Sequence, residues 1–223
     1  MINLTQIYYL IAASFIIYFI ISYAYKILKI QNVEEALLTS RGLLLLNLKH
    51  ILGILLFGLI FYLITPEYRF LINSFEIPNL NILLLLLGVV FISALLAFTL
   101  VKKNLKNKAK ISQYNHNQGW TYFIIRIVFL ISYEFFFRGI LLFFFIEING
   151  LILAIIISTS LYVLIHIFDT KAEILGAIPF GIVLCLFSYF TNNIWAAFII
   201  HGTLSGVYEV SMFNHLTLKT HKS

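Results

Sequence analysis

Glu134 and Arg138 stand four residues apart in the stretch Ser132-Tyr133-Glu134-Phe135-Phe136-Phe137-Arg138-Gly139, and His166 and His201 each interrupt a later apolar run. One carboxylate and two imidazoles supply a base, an acid and hydrogen-bond donors, a set suited to water-driven cleavage of a carbonyl compound. Withdrawal from water raises the pKa of a carboxylate and lowers that of an imidazole, which brings the two types towards proton exchange near neutrality. Each residue also has a plainer reading. A spacing of four puts Glu134 and Arg138 on one helical face, where they can simply neutralise each other. A lone interior histidine is usually a satisfied structural residue. The chemistry is suggested by the conjunction, with the three groups carried on three separate helices.

Those helices must cross a membrane. Hydrophobic residues make up 61% of the 223 positions and charged residues 11%, against roughly 45–50% and 25% in soluble domains. A span needs about 20 mostly apolar residues, and stretches of that kind lie at 7–25, 43–64, 81–100, 121–146, 151–168, 174–190 and 194–213. The expectation is an all-α, polytopic bundle of about seven spans. Lys49 and His50 weaken the start of the second and read as an interfacial helix start. Gly176, Pro179 and Gly181 suggest that the sixth is broken or re-entrant. Segments 30–42 and 66–80 are too polar to span. An ionisable side chain in the bilayer costs at least ~2.5–3.5 kcal/mol on insertion scales. Beyond Lys49 and His50, the groups that carry this cost are Arg126, Glu134, Arg138, His166, His201 and Glu209, all in the last four spans. Arg126 reads as facing headgroups or a partner within the bundle, and Glu209 as pairing with it or snorkelling.

The net charge of +6 is placed as a topology signal. Lys26, Lys29, Arg41, Lys102, Lys103, Lys106, Lys108, Lys110, Lys171, Lys219 and Lys222 all fall on one side of the expected spans, and Arg69 is the single basic residue in the opposite loops. By the positive-inside bias the N-terminus is outside and the C-terminus cytoplasmic. The run from Lys102 to Lys110 is then an anchor, at most touching anionic lipid, and no nucleic-acid partner is expected. Met1 to Gln6 lack the basic cluster of a secretory signal, so the first span reads as a retained helix. The single cysteine, Cys185, allows neither a disulfide framework nor a cysteine-based zinc site within the chain.

In order and rough spacing these residues resemble the CPBP family of intramembrane proteases, which contains the Ras-converting CAAX-processing enzymes and bacterial relatives linked to bacteriocin immunity. The family pattern is Glu-Glu-x-x-x-Arg, then Phe-x-x-x-His, then His-x-x-x-Asn or Asp on successive helices. Here the corresponding residues are Tyr133, Glu134 and Arg138, then Tyr162 and His166, then His201 and Ser205, within a resemblance covering about Trp120 to Met212. Three positions depart from it: Tyr133 replaces the first glutamate, Tyr162 the phenylalanine, and Ser205 the final amide or carboxylate.

The resemblance implies a bacterial cytoplasmic membrane protein that acts as an intramembrane endopeptidase on a membrane-associated protein or peptide. Carried over by position, Glu134 and His166 activate water, His201 and Ser205 steady the oxyanion, and Arg138 and Tyr133 flank the site. It implies residues 1–118 as N-terminal spans with a basic loop, 119–214 as the protease-like core and 215–223 as a basic tail. No cofactor is expected. Two histidines and a glutamate could bind zinc in principle, but the His-Glu-x-x-His helix motif is missing. Two other functions remain open. If Glu134 is committed to Arg138, the protein is a catalytically impaired relative that binds or regulates a partner. A small transporter would call for an inverted repeat and paired broken helices, and neither is evident.

Overall fold

A computed structural model describes residues 3–105, 114 and 116–217, and among them the chain is helices joined by short connections, without strands. The basic positions Lys106, Lys108, Lys110, Lys219 and Lys222 lie outside the described residues.

The first rod, α1 (Leu4–Ile27), opens on a capping box in which the Asn3 side chain accepts from the Gln6 amide and Gln6 reaches back to the Asn3 amide. A short α2 (Val33–Leu38) follows. The second rod is α3 (Gly42–Gly53), which widens into a π turn over Ile54–Leu59 and resumes as α4 (Ile60–Ile64). After the small α5 (Phe70–Asn73) comes α6 (Leu80–Leu105). The fourth rod is α7 (His116–Glu134), a second π turn over Phe135–Leu141, and α8 (Leu142–Asn149). Gly150, at φ 77°, lets the chain reverse directly into α9 (Leu151–Ile165), which tightens to a 3-10 turn over His166–Phe168. Then follow α10 (Lys171–Thr191), capped by a Thr170–Glu173 box, and α11 (Trp195–Thr217).

Six of these rods are long and apolar enough to cross a membrane. The seventh, α11, has the length at 23 residues but carries His201, Glu209 and His215. The expected broken sixth span is instead one continuous helix of 21 residues with Pro179 inside it. Proline removes a single helical hydrogen bond, and the packing of α10 on its neighbours holds the rest of the ladder. Gly181 serves that packing, because a Cβ there would stand 3.1 Å from Thr159 and 3.2 Å from Tyr162 on α9.

Contacts at the two ends of the bundle show the rods running alternately up and down. At one end Tyr8 meets Phe144 and Phe145, the Ile194 amide bonds the Leu71 carbonyl, and the Trp195 indole bonds the Ile72 carbonyl. At the other, Lys26 bonds the Phe168 carbonyl, Tyr114 bonds the Ala36 and Thr39 carbonyls, and Asn104 bonds the Tyr208 hydroxyl. This second end, with Lys26, Lys29, Arg41, Lys102, Lys103 and Lys171, is the basic one.

The fourth rod is the hub. Of the residues in its most apolar stretch, within Asn117–Asn149, 78% are buried in the protein, against 17–33% for the other five candidate spans. Its π turn faces the π turn of the second rod, where Phe57 stacks on Phe136 with ring centroids 4.3 Å apart and meets Phe137 edge-on at 5.8 Å. Close approach depends on small residues, as is usual for helices packing in lipid. A Cβ at Gly58 would stand 2.4 Å from the Ser132 hydroxyl, and one at Gly53 2.4 Å from the Phe129 ring. The turn at Phe135–Leu141 begins on the residue after Glu134, so the widest stretch of the hub helix adjoins the polar cluster. Wide turns of this kind recur at functional sites.

Candidate active site

Glu134 is fully buried, and its two oxygens face different partners. Oε1 lies 2.5 Å from His201 Nδ1 on α11, and Oε2 lies 3.4 Å from Arg138 Nε one turn along its own rod. The alternatives of a carboxylate turned to histidine or turned to arginine are thus both realised, one oxygen to each. Arg138 is also fully buried and lies 4.1 Å over the Tyr162 ring of α9 and 5.7 Å from the Phe137 ring. Beyond the ion pair with Glu134, its guanidinium nitrogens make no well-formed hydrogen bond within the described protein, and neither does the Tyr133 hydroxyl. Buried donors and acceptors left unmade cost about 1–3 kcal/mol each, and the polar atoms that carry this cost gather in one place.

The aromatic residues around this group act as its wall. Tyr133 is buried against Phe129, Phe137, Tyr162 and His201, with ring centroids 4.6–6.0 Å away. Phe180 of α10 stands edge-on to His201 at 5.6 Å. Tyr162 is the common neighbour, in contact with Tyr133, Phe137, Arg138, His166 and His201. Tyrosine at this position, where the family pattern has phenylalanine, keeps the ring that the packing needs.

His166 enters from below, towards the basic end, where it forms part of the 3-10 turn that closes α9. Its Nδ1 lies 2.8 Å from Asp169 Oδ2, its ring stands edge-on to Tyr162 at 4.7 Å, and its Nε2 is buried without a partner. The structure therefore brings Glu134, Arg138, Tyr133 and His201 into direct proximity and joins His166 to them through the Tyr162 ring. It places Ser205 elsewhere. The Ser205 hydroxyl donates to Glu209 Oε1 at 2.7 Å and accepts from Arg126 Nη2 at 2.9 Å. Arg126, for which headgroups and a bundle partner were alternatives, is bidentate on Glu209, which also accepts from the Tyr122 hydroxyl.

These contacts lock two antiparallel helices in register. Glu134 meets His201 and Arg126 meets Glu209, so a step of eight residues on α7 matches a step of eight on α11, about 12 Å at 1.5 Å per residue. Glu134 and His201 meet at one depth although they belong to different rods; the rod of Glu134 spans 33 residues, about 50 Å at that rise, so its ends do not fix Glu134 at the bilayer midplane. His50 also departs from expectation. Instead of marking an interface it is buried, stacked on Phe129 at 4.7 Å.

Sequence reasoning missed Asp169. The signal was available as an acidic residue three positions after a histidine, the i,i+3 spacing of neighbours on a helical turn. No group of three or more His, Cys, Asp and Glu side chains among the described residues has the placement to hold a metal ion. Glu134 and His201 together offer two such donors.

Residues 115–207 match the family model of Rce1-like type II CAAX prenyl endopeptidases. The resemblance drawn from the three motifs is borne out by that match. It takes in Glu134, Arg138, His166, Asp169, His201 and Ser205, and it leaves α1 to α6 and Glu209 outside. No curated protein and no solved structure gives a significant match.

Proposed function

We propose that the protein is an intramembrane endopeptidase that hydrolyses a peptide bond in a membrane-associated protein or peptide. The observation that carries this reading is the contact between Glu134 and His201 across two helices, deep inside an apolar bundle. An acid held against an imidazole Nδ1 fixes the ring and leaves Nε2 as the nitrogen that can take a proton. In this assignment His201 Nε2 removes a proton from water as the oxygen attacks the scissile carbonyl. The same proton passes to the amide nitrogen as the C–N bond breaks. His166, with Nε2 unpartnered, faces the attacking water from the Tyr162 side as a second acceptor, and Arg138 offsets the negative charge that develops in the cluster. Tyr133 forms wall, and Ser205 acts through the Arg126–Glu209 pair.

The match to CAAX prenyl endopeptidases makes a prenylated C-terminal peptide the first substrate to try. Residues 119–214 are assigned as the catalytic core and 1–118 as its supporting spans. The basic end is assigned to the cytoplasm on the positive-inside bias, with the N-terminus outside. The purified chain in nanodiscs should cleave a quenched fluorescent farnesylated peptide, and Glu134→Gln, His166→Ala and His201→Ala should each abolish cleavage while the protein still inserts and accumulates. One observation favours a second reading, that of a non-catalytic binding factor: Tyr133 provides no carboxylate, and Glu134 is shared with Arg138. A cellular phenotype that survives all three substitutions would select that reading.

A further inference from the structure

His166 does not sit in the body of a helix. It opens the 3-10 turn His166–Phe168, after which Asp169 is extended and α10 begins. A turn between two helices is a poor place to hold a reacting group unless something fixes it, because the last carbonyls of α9 have lost their helical donors. Two sets of contacts do so. Asp169 Oδ2 lies 2.8 Å from His166 Nδ1, within the turn itself. Asp169 is not spent on capping α10, since the Thr170 side chain and Glu173 already form that box. The second set comes from α1 and the turn that follows it. The Phe168 carbonyl accepts from Lys26 Nζ at 2.8 Å and from Gln31 Nε2 at 2.9 Å, and the Phe168 ring lies against Phe19 and Tyr23 with centroids at 4.9 and 5.7 Å.

Gln31 is itself held. Glu35 accepts from its backbone amide at 2.8 Å, and Lys26 donates to its side-chain oxygen at 3.1 Å. The chain reaches this position because α1 ends in a Schellman motif, in which the Ile30 amide bonds the Tyr25 carbonyl and the Lys29 amide bonds the Lys26 carbonyl, with Lys29 at φ 57°. That reversal returns Gln31 beside Lys26. The turn carrying His166 is therefore fixed by a carboxylate from within and by two donors outside the matched segment, Lys26 of α1 and Gln31 of the turn that follows it.

We propose that Asp169 is the positioning carboxylate of His166, holding the proton on Nδ1 and presenting Nε2 to the site, and that Lys26 and Gln31 clamp the turn that carries them both. The cluster then contains two imidazoles, each backed at Nδ1 by a carboxylate, with Glu134 on His201 and Asp169 on His166. A second carboxylate is thus present although Tyr133 brings none. The consequence for turnover rests on the peptidase reading, whereas the hold on the ring does not.

The test uses the full chain, labelled with 15N at histidine, in lipid nanodiscs, with the farnesylated peptide as probe. In the unmodified protein the His166 signal should be that of the Nδ1–H tautomer. Asp169→Ala should shift it towards Nε2–H and lower kcat about ten- to a hundred-fold, the scale expected for misplacing a catalytic group by about 1 Å, with KM within about twofold. Asp169→Glu should recover part of kcat. Lys26→Met combined with Gln31→Leu, both at accessible positions, should lower kcat less and leave the tautomer in place. An unchanged His166 signal in Asp169→Ala overturns the proposal, as does an unchanged kcat. If the unmodified protein cleaves no peptide the peptidase reading fails, and the tautomer alone then decides whether Asp169 holds the ring.

Discussion

Replacing Glu209 with glutamine should loosen the lock between α7 and α11. Glu209 accepts from Arg126 Nε at 2.9 and 3.2 Å, from the Tyr122 hydroxyl at 2.7 Å and from the Ser205 hydroxyl at 2.7 Å, and it pairs with Arg126 Nη2 at 2.8 Å. Glutamine keeps one acceptor oxygen, turns a donor amide towards the other partners and leaves Arg126 without its counter-charge. Breaking a fully buried pair costs about 3–5 kcal/mol. The side chains here are 19% and 11% exposed, so water relieves part of the cost and about 2 kcal/mol is expected. For a chain of this size that corresponds to a fall in Tm of about 4–8 °C. The assay is built into the protein, since Cys185 is its only cysteine and is fully buried. A thiol-reactive fluorophore therefore reports unfolding directly. The reversed pair, Arg126→Glu with Glu209→Arg, should regain at least about 1 kcal/mol relative to the sum of its single substitutions. A Tm for Glu209→Gln within about 1 °C of the parent, or no coupling in the cycle, would refute the claim that this pair sets the helix register.

Two further substitutions probe the packing around the site. Gly58→Ala puts a Cβ 2.4 Å from the Ser132 hydroxyl and should cost about 1–3 kcal/mol, whereas Gly88→Ala, with nothing within 4 Å, should leave Tm unchanged; equal effects from the two would contradict the close approach of the two π-turned rods. Tyr133→Glu restores the carboxylate of the family pattern, but into a pocket of Phe57, Phe129, Phe137 and Tyr162 rings. It should lower thermal stability by several degrees without raising cleavage of the farnesylated peptide, and a gain in kcat would show that the wall reading of Tyr133 is wrong.

The rods were legible because lipid imposes a length on them, and a run of apolar residues long enough to cross has few other uses. The polar cluster was legible for the complementary reason, since Glu134, His166 and His201 are expensive where they lie. What escaped notice depends on distances between helices, which composition does not encode. Ser205 follows His201 by four residues and shares its face, yet its hydroxyl is taken by Arg126 and Glu209 because the antiparallel register brings position 126 opposite position 209. Pro179 suggested a break, but a helix packed on α9 and α11 tolerates one missing amide donor. Neither π turn has a residue that announces it, and the two face each other with Phe57 stacked on Phe136. Asp169 was passed over because it lies at the end of its span, where a carboxylate is inexpensive and calls for no partner. Cost of burial finds the groups that must be explained, and it is blind to groups that reach the site from its rim. The positioning residues of such a bundle are therefore best sought in the turns, at the first polar side chain beyond each buried one.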